Sequence, residues 1–264
     1  MVYDNTPFNK KHQAPSQGNP IPFKQGEVSP IKYVFYIIKE NRTYDQVLGD
    51  VKKGNGDPEL CLFPEKVTPN IHALDDEYVL LDNFYVDAEV SADGHNWSMG
   101  AYANDYVEKT WPTQYGKRGG GGDYGGNRKI TYPKDGFIWD YCKRAGVSYR
   151  SYGEFTDGKT TVTPTLEGHF CAGFPSFNFA IKDTSRYSIW MKDFDQLLAK
   201  GEVPQFNTIK FPNDHTSGQQ KDRISPTSAV ADNDLAVGLF VDHLSHSKIW
   251  NQSVVFILED DAQN

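Results

Sequence analysis

The sequence predicts an α/β domain with a mainly parallel central sheet flanked by helices. The run of β-branched and aromatic residues at 31–39 shows no alternation of polar and apolar positions, and further strands are predicted at 206–211 and 253–258. Strands that are buried on both faces of a parallel sheet have this pattern. Amphipathic helical stretches separate the runs, whereas separate all-β and all-α modules would not interleave in this way. The 264 residues, 38% of them hydrophobic, are enough for one large core.

The N-terminal part of the chain predicts a polar lead-in followed by two strands. Residues 1–29 are rich in proline, asparagine, glutamine and lysine, which is the composition of a linker or surface arm. The first strand is expected at 31–39. A second run of β-branched and aromatic residues predicts a strand at 78–86.

Helical spacing of apolar residues then predicts a helix from Asn96 to about Lys109, with Ser91 or Asp93 at its start. The glycine-rich segment 115–126 cannot pack a core and is expected to be a mobile loop. It contains no Gly-Lys-Ser/Thr and is therefore no P-loop. The aromatic residues around it allow two interpretations, a lid over a site or a disordered loop.

The next unit is a helix followed by a strand. Asp135 is predicted to be the N-cap of a helix, and Gly146 is predicted to end it. The strand at 147–152 follows directly.

The same order of elements recurs further along the chain. An amphipathic helix is predicted at 187–200, with Gly201 as its stop and the strand at 206–211 after it. Ser225 or Thr227 is expected to open another helix, which leads to the last strand.

Composition excludes several classes of protein. The net charge is −8, with 27 basic and 35 acidic residues, so a protein that binds a nucleic-acid scaffold is disfavoured. The mean hydropathy is −0.61, no apolar run is long enough for a membrane span, and no signal peptide is visible. Three scattered cysteines, none in a CxxC pair, disfavour a structural zinc site and leave their redox state open.

Chemistry is expected where the predicted strands end, because ligands bind beyond the carboxyl ends of parallel strands. Three strands are followed by polar residues, which are Glu40-Asn41, Asn213-Asp214-His215 and Glu259-Asp260-Asp261. Each group taken alone could cap a helix or face solvent. Carboxylates converging on one edge would repel each other and need a cation. Oxygen ligands with one imidazole suit Mg, Ca, Mn, Fe or Zn, and the sequence does not choose among them.

Ser91 is a candidate nucleophile, because it precedes a predicted helix N-terminus where a phosphate is favoured. Its hydroxyl could attack phosphorus while His95 and His215 donate to the phosphoryl oxygens or the leaving group. Asn213 and Asp214 are predicted to contact the substrate. The alternative is that Ser91 or Asp93 only caps the helix and His95 is structural.

These motifs resemble a known family. Residues 31–49 are similar to the opening strand and Glu-Asn-Arg-Ser/Thr-Phe/Tyr-Asp motif of the bacterial phosphoesterase family of phospholipase C and acid phosphatase type, in the alkaline phosphatase superfamily. Residues 136–154 resemble the family's Ile-Trp-Asp-Xaa-Xaa-Lys-Xaa-Ala-Gly-Val segment. The likeness continues through 211–216 and 254–261 and covers most of residues 31–264.

The resemblance implies an alkaline phosphatase-like domain over residues 30–264, comprising the N-terminal and central part of such a domain. It implies a metal ion held by Glu40, Asn41, Asp260 and Asp261. The spacing from Ser91 to His95 is similar to the Thr-Xaa-Xaa-Xaa-His spacing around the nucleophile elsewhere in the superfamily. Members usually continue past the acidic pair with further ligands, so the domain is expected to be incomplete at its C-terminal end.

The leading hypothesis is a metal-dependent hydrolase of phosphate esters that acts through Ser91, on a small-molecule or lipid phosphate ester. A related sulfate or phosphonate hydrolase is the alternative among enzymes. A truncated or degenerate member that serves as a binding module is the alternative of another class. By resemblance to exported relatives, we expect a periplasmic or secreted protein with an upstream β-propeller in a longer chain.

Overall fold

The computed structural model describes residues 19–22, 26–118 and 128–261. Four parallel strands form one sheet, in the order β2-β3-β1-β4. They are β1 (Tyr33–Lys39), β2 (Tyr149–Tyr152), β3 (Phe206–Phe211) and β4 (Ser253–Glu259). The predicted α/β class with a parallel sheet is confirmed.

Seven α-helices occur in the described part of the chain. They are α1 (Tyr44–Leu48), α2 (Pro69–Glu77), α3 (Ser91–Gly100), α4 (Asp105–Tyr115), α5 (Ile138–Ala145), α6 (Asp183–Lys200) and α7 (Pro226–Ser245). The longest two, α6 and α7, pack against each other. Helix α2 and the short α1 have no counterpart in the sequence-based prediction.

The sheet is covered on both faces because its side chains alternate between two apolar clusters. Phe35 and Ile37 of β1 face the larger cluster, in which α6 and α7 contribute Trp190 and Phe240 among others. Ile38 faces the opposite cluster, together with side chains of α3 and α5. Burial on both faces explains why β1 has a continuous apolar sequence over Tyr33–Ile38.

Several predicted boundaries are confirmed. Strand β3 has the predicted limits. Ser225 is the N-cap of α7, and its hydroxyl accepts a hydrogen bond from the backbone N–H of Ser228 at 3.3 Å. Helices α5 and α6 end at Gly146 and Gly201, whose φ angles of 69° and 73° lie in the left-handed region that favours glycine.

The predicted strand at 78–86 is wrong. No strand is assigned there, and its large side chains are exposed, with Val79 at 81% and Tyr85 at 79%. Both edges of β1 are already paired, with β3 and with β4, so this segment has no place beside the central strand. The outer edge of β4 pairs with no described strand, so an edge is available, but the segment buries too little apolar surface to pack there, and high β-propensity alone does not make a strand.

The predicted single helix from Asn96 to about Lys109 is two helices, α3 and α4. The first ends at Ala101, which has a φ of 49°. The side chain of Asn104 then accepts a hydrogen bond from the N–H of Val107 at 3.0 Å and starts the second helix. The break has a local cause, because an asparagine N-cap satisfies a helix-terminal N–H.

Two further predictions differ from the structure. Asp135 is not the N-cap of α5. The carboxylate of Asp140, within the first turn, accepts the hydrogen bond from the N–H of Phe137 at 2.9 Å. Tyr115, predicted to lie in the glycine-rich loop, is the last residue of α4. Most of that loop and most of the predicted lead-in lie outside the described residues.

None of the described helices is long and apolar enough to cross a membrane.

Candidate active site

The carboxyl ends of β1 and β4 bring two groups of predicted ligands together. Lys39 and Glu259 are partners in the strand register, so Glu40 and Asn41 follow β1 beside Asp260 and Asp261. The backbone N–H of Asn41 donates to Asp260 Oδ1 at 3.1 Å. Convergence of these residues follows from parallel pairing, because residues after neighbouring strands meet at one edge.

Ser91 lies against this acidic group. It is the first residue of α3, and its Oγ is 2.9 Å from Asp261 Oδ2 and 3.3 Å from Glu40 Oε2. Val90 is the N-cap of α3, and the hydrogen bonds of the Ser91 hydroxyl go to the two carboxylates. The N–H of Val90 is instead bonded by Asp93 at 3.1 Å. The hydroxyl therefore belongs to the carboxylate cluster and does not serve as a helix cap.

His95, one turn further along α3, joins the cluster to a second set of charges. Its Nδ1 lies 2.9 Å from Glu154 Oε1, and its Nε2 lies 3.3 Å from Glu40 Oε1. The ammonium of Lys210 is 3.1 Å from Glu40 Oε1 and 2.9 Å from His95 Nε2. All of these side chains are buried.

Their burial and mutual contacts shift the acid–base properties of the group. Burial alone would raise the pKa of Glu40, but Lys210 and His95 lower it to about 2. Burial works against a charge on His95, yet Glu154 beside it raises the pKa of the imidazole to about 10. Glu40 is therefore an ionised carboxylate at neutral pH.

The positive charges of His95 and Lys210 do not fully offset the negative charge of the carboxylates in this cluster, as the two aspartates show. Burial and then the charge of Glu40 raise the pKa of Asp260 well above its usual range, and burial raises that of Asp261 to about 6. Asp260 Oδ2 and Asp261 Oδ1 are buried without a hydrogen-bond partner. Donor atoms of Glu40, His95 and Asp260 all lie within 4.8 Å of one another. A divalent cation fits this set of oxygens and relieves their repulsion.

A cavity of about 710 Å³ opens above the cluster. Ser91, Asn41, Asp261 and Lys210 line its charged side, and Phe177 and Tyr115 are among its apolar walls. His215 also lines the cavity and stacks on Phe179 with ring centroids 4.8 Å apart. The predicted residues Ser91, His95 and His215 are thus brought to one cavity.

Asn213 and Asp214, predicted to contact the substrate, are not among the described residues that line the cavity. Asp214 accepts a hydrogen bond from the N–H of Glu40 at 3.1 Å and lies 3.1 Å from the ammonium of Lys39. Asn213 is bonded to the carboxylate of Asp183 and to the backbone of the loop before α6. Both are positioned to support the strand ends.

Sequence reasoning missed Lys210 and Glu154. Lys210 lies within β3, and Glu154 follows β2 after one intervening glycine. A single charged residue in or after a short strand is not part of a recognisable sequence motif, so its position along the chain does not mark it as a site residue. The one available indication was Lys210 itself, a charged residue in a run that otherwise predicts a buried strand.

Replacement of Gly94 by alanine is expected to disturb the acidic pair. A Cβ at this position would meet the backbone carbonyl carbon of Asp260 at 2.9 Å and would lie still closer to its oxygen. Because backbone atoms cannot move aside cheaply, we expect a loss of about 1–3 kcal/mol in the free energy of unfolding and weaker Mn²⁺ binding. Chemical denaturation and calorimetry measure the two effects.

The matched control is Gly100→Ala on the same helix, whose Cβ would meet the ring of Pro133 at 2.8 Å and not the acidic pair. It should leave the Mn²⁺ affinity unchanged, whatever its effect on stability. Equal Mn²⁺ affinity in wild type and Gly94→Ala would show that the packing of α3 on Asp260 does not matter to the site.

Residues 58–263 match the model of the phosphoesterase family. No curated protein matches the chain.

Solved structures with a similar fold include an alkaline phosphatase superfamily protein from Vibrio parahaemolyticus, with 16% identity, a TM-score of 0.57 and 89% of this chain covered. Human ectonucleotide pyrophosphatase/phosphodiesterase 5 has 14% identity, a TM-score of 0.54 and 86% of this chain covered. The lipoteichoic acid synthase LtaP from Listeria monocytogenes has 14% identity, a TM-score of 0.55 and 89% covered.

This chain covers 55%, 56% and 57% of those three proteins, respectively. At this level of identity the likeness concerns the fold, and it confirms the predicted alkaline phosphatase-like architecture.

Proposed function

Because this chain belongs to the phosphoesterase family, we propose that it hydrolyses phosphate esters with a bound divalent metal ion and with Ser91 as the nucleophile. Membership confirms the predicted family and supports its general class, the phosphoester hydrolases. What this chain does within that class is the proposal.

The observation that carries the proposal is the position of the Ser91 hydroxyl. It contacts two carboxylates, Asp261 and Glu40, and opens onto the cavity at the start of α3. A serine needs a neighbouring base or cation to become a useful nucleophile. The carboxylates on one side of Ser91 supply a base and a place for a cation. The cavity on its other side has room for a substrate.

The acidic cluster fits a metal ion. Glu40, Asp260 and Asp261 would hold it, with the Asn41 side chain as the further oxygen ligand that the sequence predicted. Asp260 Oδ2, which lies 3.5 Å from His95 Nε2, and Asp261 Oδ1 are buried without a hydrogen-bond partner, which supports this assignment. When bound, a divalent ion supplies positive charge that stabilises the phosphoryl group in the transition state and an ionised serine hydroxyl.

The chain's own residues account for the remaining steps. Ser91 Oγ gives its proton to the neighbouring Asp261 carboxylate and forms a bond to phosphorus, while the bond from phosphorus to the leaving oxygen breaks. His215 Nδ1 lies 2.9 Å from the carbonyl of Thr216 and donates to it, so Nε2 is the remaining nitrogen, and the doubly protonated imidazole gives its Nε2 proton to the leaving oxygen. His95, held beside Glu154, adds positive charge near the phosphoryl oxygens. A water oxygen then bonds to phosphorus while the bond from phosphorus to Ser91 Oγ breaks; the water gives a proton to His215 Nε2, and the proton on Asp261 returns to Ser91 Oγ.

The size and walls of the cavity favour an ester with an organic group. A volume of about 710 Å³ is much larger than a phosphate requires, and Phe177 and Tyr115 offer apolar surface. We therefore propose a small-molecule or lipid phosphate ester as the substrate. Export to the periplasm or medium and an upstream β-propeller stay predictions from the resemblance.

A panel of nitrophenyl esters tests the function. Turnover of p-nitrophenyl phosphate, of its bis-ester and of p-nitrophenyl sulfate is measured by absorbance, with each divalent metal and with chelator. We expect metal-dependent release of nitrophenol from at least one phosphate ester and slower release from the sulfate.

Faster turnover of the sulfate would favour the related sulfate hydrolase. If the protein binds metal and phosphate but none of the esters turns over, the hydrolase proposal fails and the chain is better explained as a binding module.

A further inference from the structure

The proposed mechanism leaves Lys210 without a role, although its charge is buried at the centre of the site. Lys210 belongs to β3 and pairs in register with Ile38 of β1. It therefore points to the face of the sheet that α3 covers, beneath Ser91 and His95. Only 7% of the residue is exposed, and that part lines the cavity.

The ammonium of Lys210 lies close to two carboxylates, to the imidazole of His95 and to an aromatic ring of the cavity wall. Its Nζ is 3.1 Å from Glu40 Oε1 and 3.8 Å from Glu154 Oε2. It also lies 2.9 Å from His95 Nε2, a neighbour of like charge when the imidazole is protonated. On the cavity side it lies 5.2 Å from the ring centroid of Phe177.

The single negative charge of Glu40 cannot neutralise both the ammonium of Lys210 and a divalent ion. A metal ion on Glu40 would repel the ammonium across a short distance in a region of low dielectric, where the interaction of charges is strong. Among the described residues, the other carboxylate that forms an ion pair with Lys210 is Glu154, and beyond it the side chain faces the cavity. Metal binding should therefore release the ammonium towards the place where a substrate phosphate would lie.

We propose that Lys210 is an exchangeable cation of this site. It neutralises Glu40 until the metal ion binds, and it then turns to the cavity and binds a non-bridging oxygen of the phosphate. This inference rests on the proposed function, because it needs both a metal ion on Glu40 and an anion above Ser91. It assigns Lys210 as a residue that binds the substrate and tunes the affinity for the metal.

Lys39 shows what a purely structural lysine looks like in the same sheet. It is 4% exposed and follows Ile38 in β1, so it points to the opposite face. Its ammonium is 2.9 Å from Glu259 and 3.1 Å from Asp214, and it is not among the described residues that line the cavity. The two lysines are matched in burial and charge, and they differ in access to the substrate.

The test measures two affinities in Lys210→Met, in the matched control Lys39→Met and in wild type. Titration calorimetry gives the Kd of Mn²⁺ for metal-free protein and the Kd of inorganic phosphate for the Mn²⁺-loaded protein. In Lys210→Met we expect Mn²⁺ to bind about tenfold more tightly and phosphate about tenfold more weakly. Lys210→Arg should retain phosphate binding, and in Lys39→Met both constants should stay within about twofold of wild type.

The outcomes separate this inference from the proposed function. Unchanged or weaker Mn²⁺ binding together with unchanged phosphate binding in folded Lys210→Met would overturn the exchange. Lys210→Gln replaces it if the methionine variant does not fold, with the same expectations. If wild-type protein binds no Mn²⁺, the proposed metal site itself fails and the inference fails with it.

Discussion

Ser91→Ala is expected to lower turnover of p-nitrophenyl phosphate by at least about a thousandfold at saturating metal, because no other group replaces the nucleophile. The free energy of unfolding should change by less than about 1 kcal/mol. Ser91 does not cap α3, so its removal costs no helix-terminal hydrogen bond. Steady-state kinetics and chemical denaturation measure the two effects.

Ser98→Ala is the matched control, since Ser98 lies on the same helix two turns further along. It should retain most of the activity. If Ser91→Ala keeps its activity and Ser98→Ala loses it, the nucleophile has been assigned to the wrong serine.

In the double variant Asp260→Asn and Asp261→Asn, the free energy of unfolding is expected no longer to depend on the metal concentration. In wild type, a metal ion at a hundredfold excess over its Kd should stabilise the fold by about 3 kcal/mol. The variant should lose this effect and its catalysis together. Its metal-free form should be at least as stable as metal-free wild type, because the change removes the repulsion with Glu40 and keeps an oxygen to accept the N–H of Asn41.

The control for the double variant is Asp105→Asn with Asp135→Asn, which makes the same change in charge at two exposed positions. It should keep the metal-dependent rise in melting temperature. An undiminished rise in Asp260→Asn and Asp261→Asn would show that the ion binds elsewhere. Glu40 and Asn41 would then be polar residues that end a strand.

The buried strands were the easiest part of the fold to predict. Strand β1 lies between apolar clusters on both faces of the sheet, and this condition produces the continuous apolar run Tyr33–Ile38 in the sequence. Residues 78–86 have similar residue types, but most of their large side chains are exposed, and only the three-dimensional arrangement decides whether such a segment is buried in a sheet.

The site was predictable where it depends on parallel strand ends. Glu40, Asp260 and Asp261 meet because residues that follow paired parallel strands lie at one edge. Asn213 and Asp214 also follow a strand, but the Asn213 side chain donates to the carbonyl of Ile181 and the Asp214 side chain accepts from the N–H of Glu40, an orientation that the sequence does not contain. Lys210 and Glu154 come from separate strands, and their meeting at His95 is a result of packing alone.

The most direct test of a metal-dependent site at Ser91 is an anomalous difference map from crystals soaked in Mn²⁺. We predict a peak at about 2.0–2.6 Å from carboxylate oxygens of Glu40, Asp260 and Asp261, in contact with the region that Ser91 faces. No peak at this position in crystals of protein that shows metal-dependent turnover, or a peak at a different group of ligands, would contradict the account.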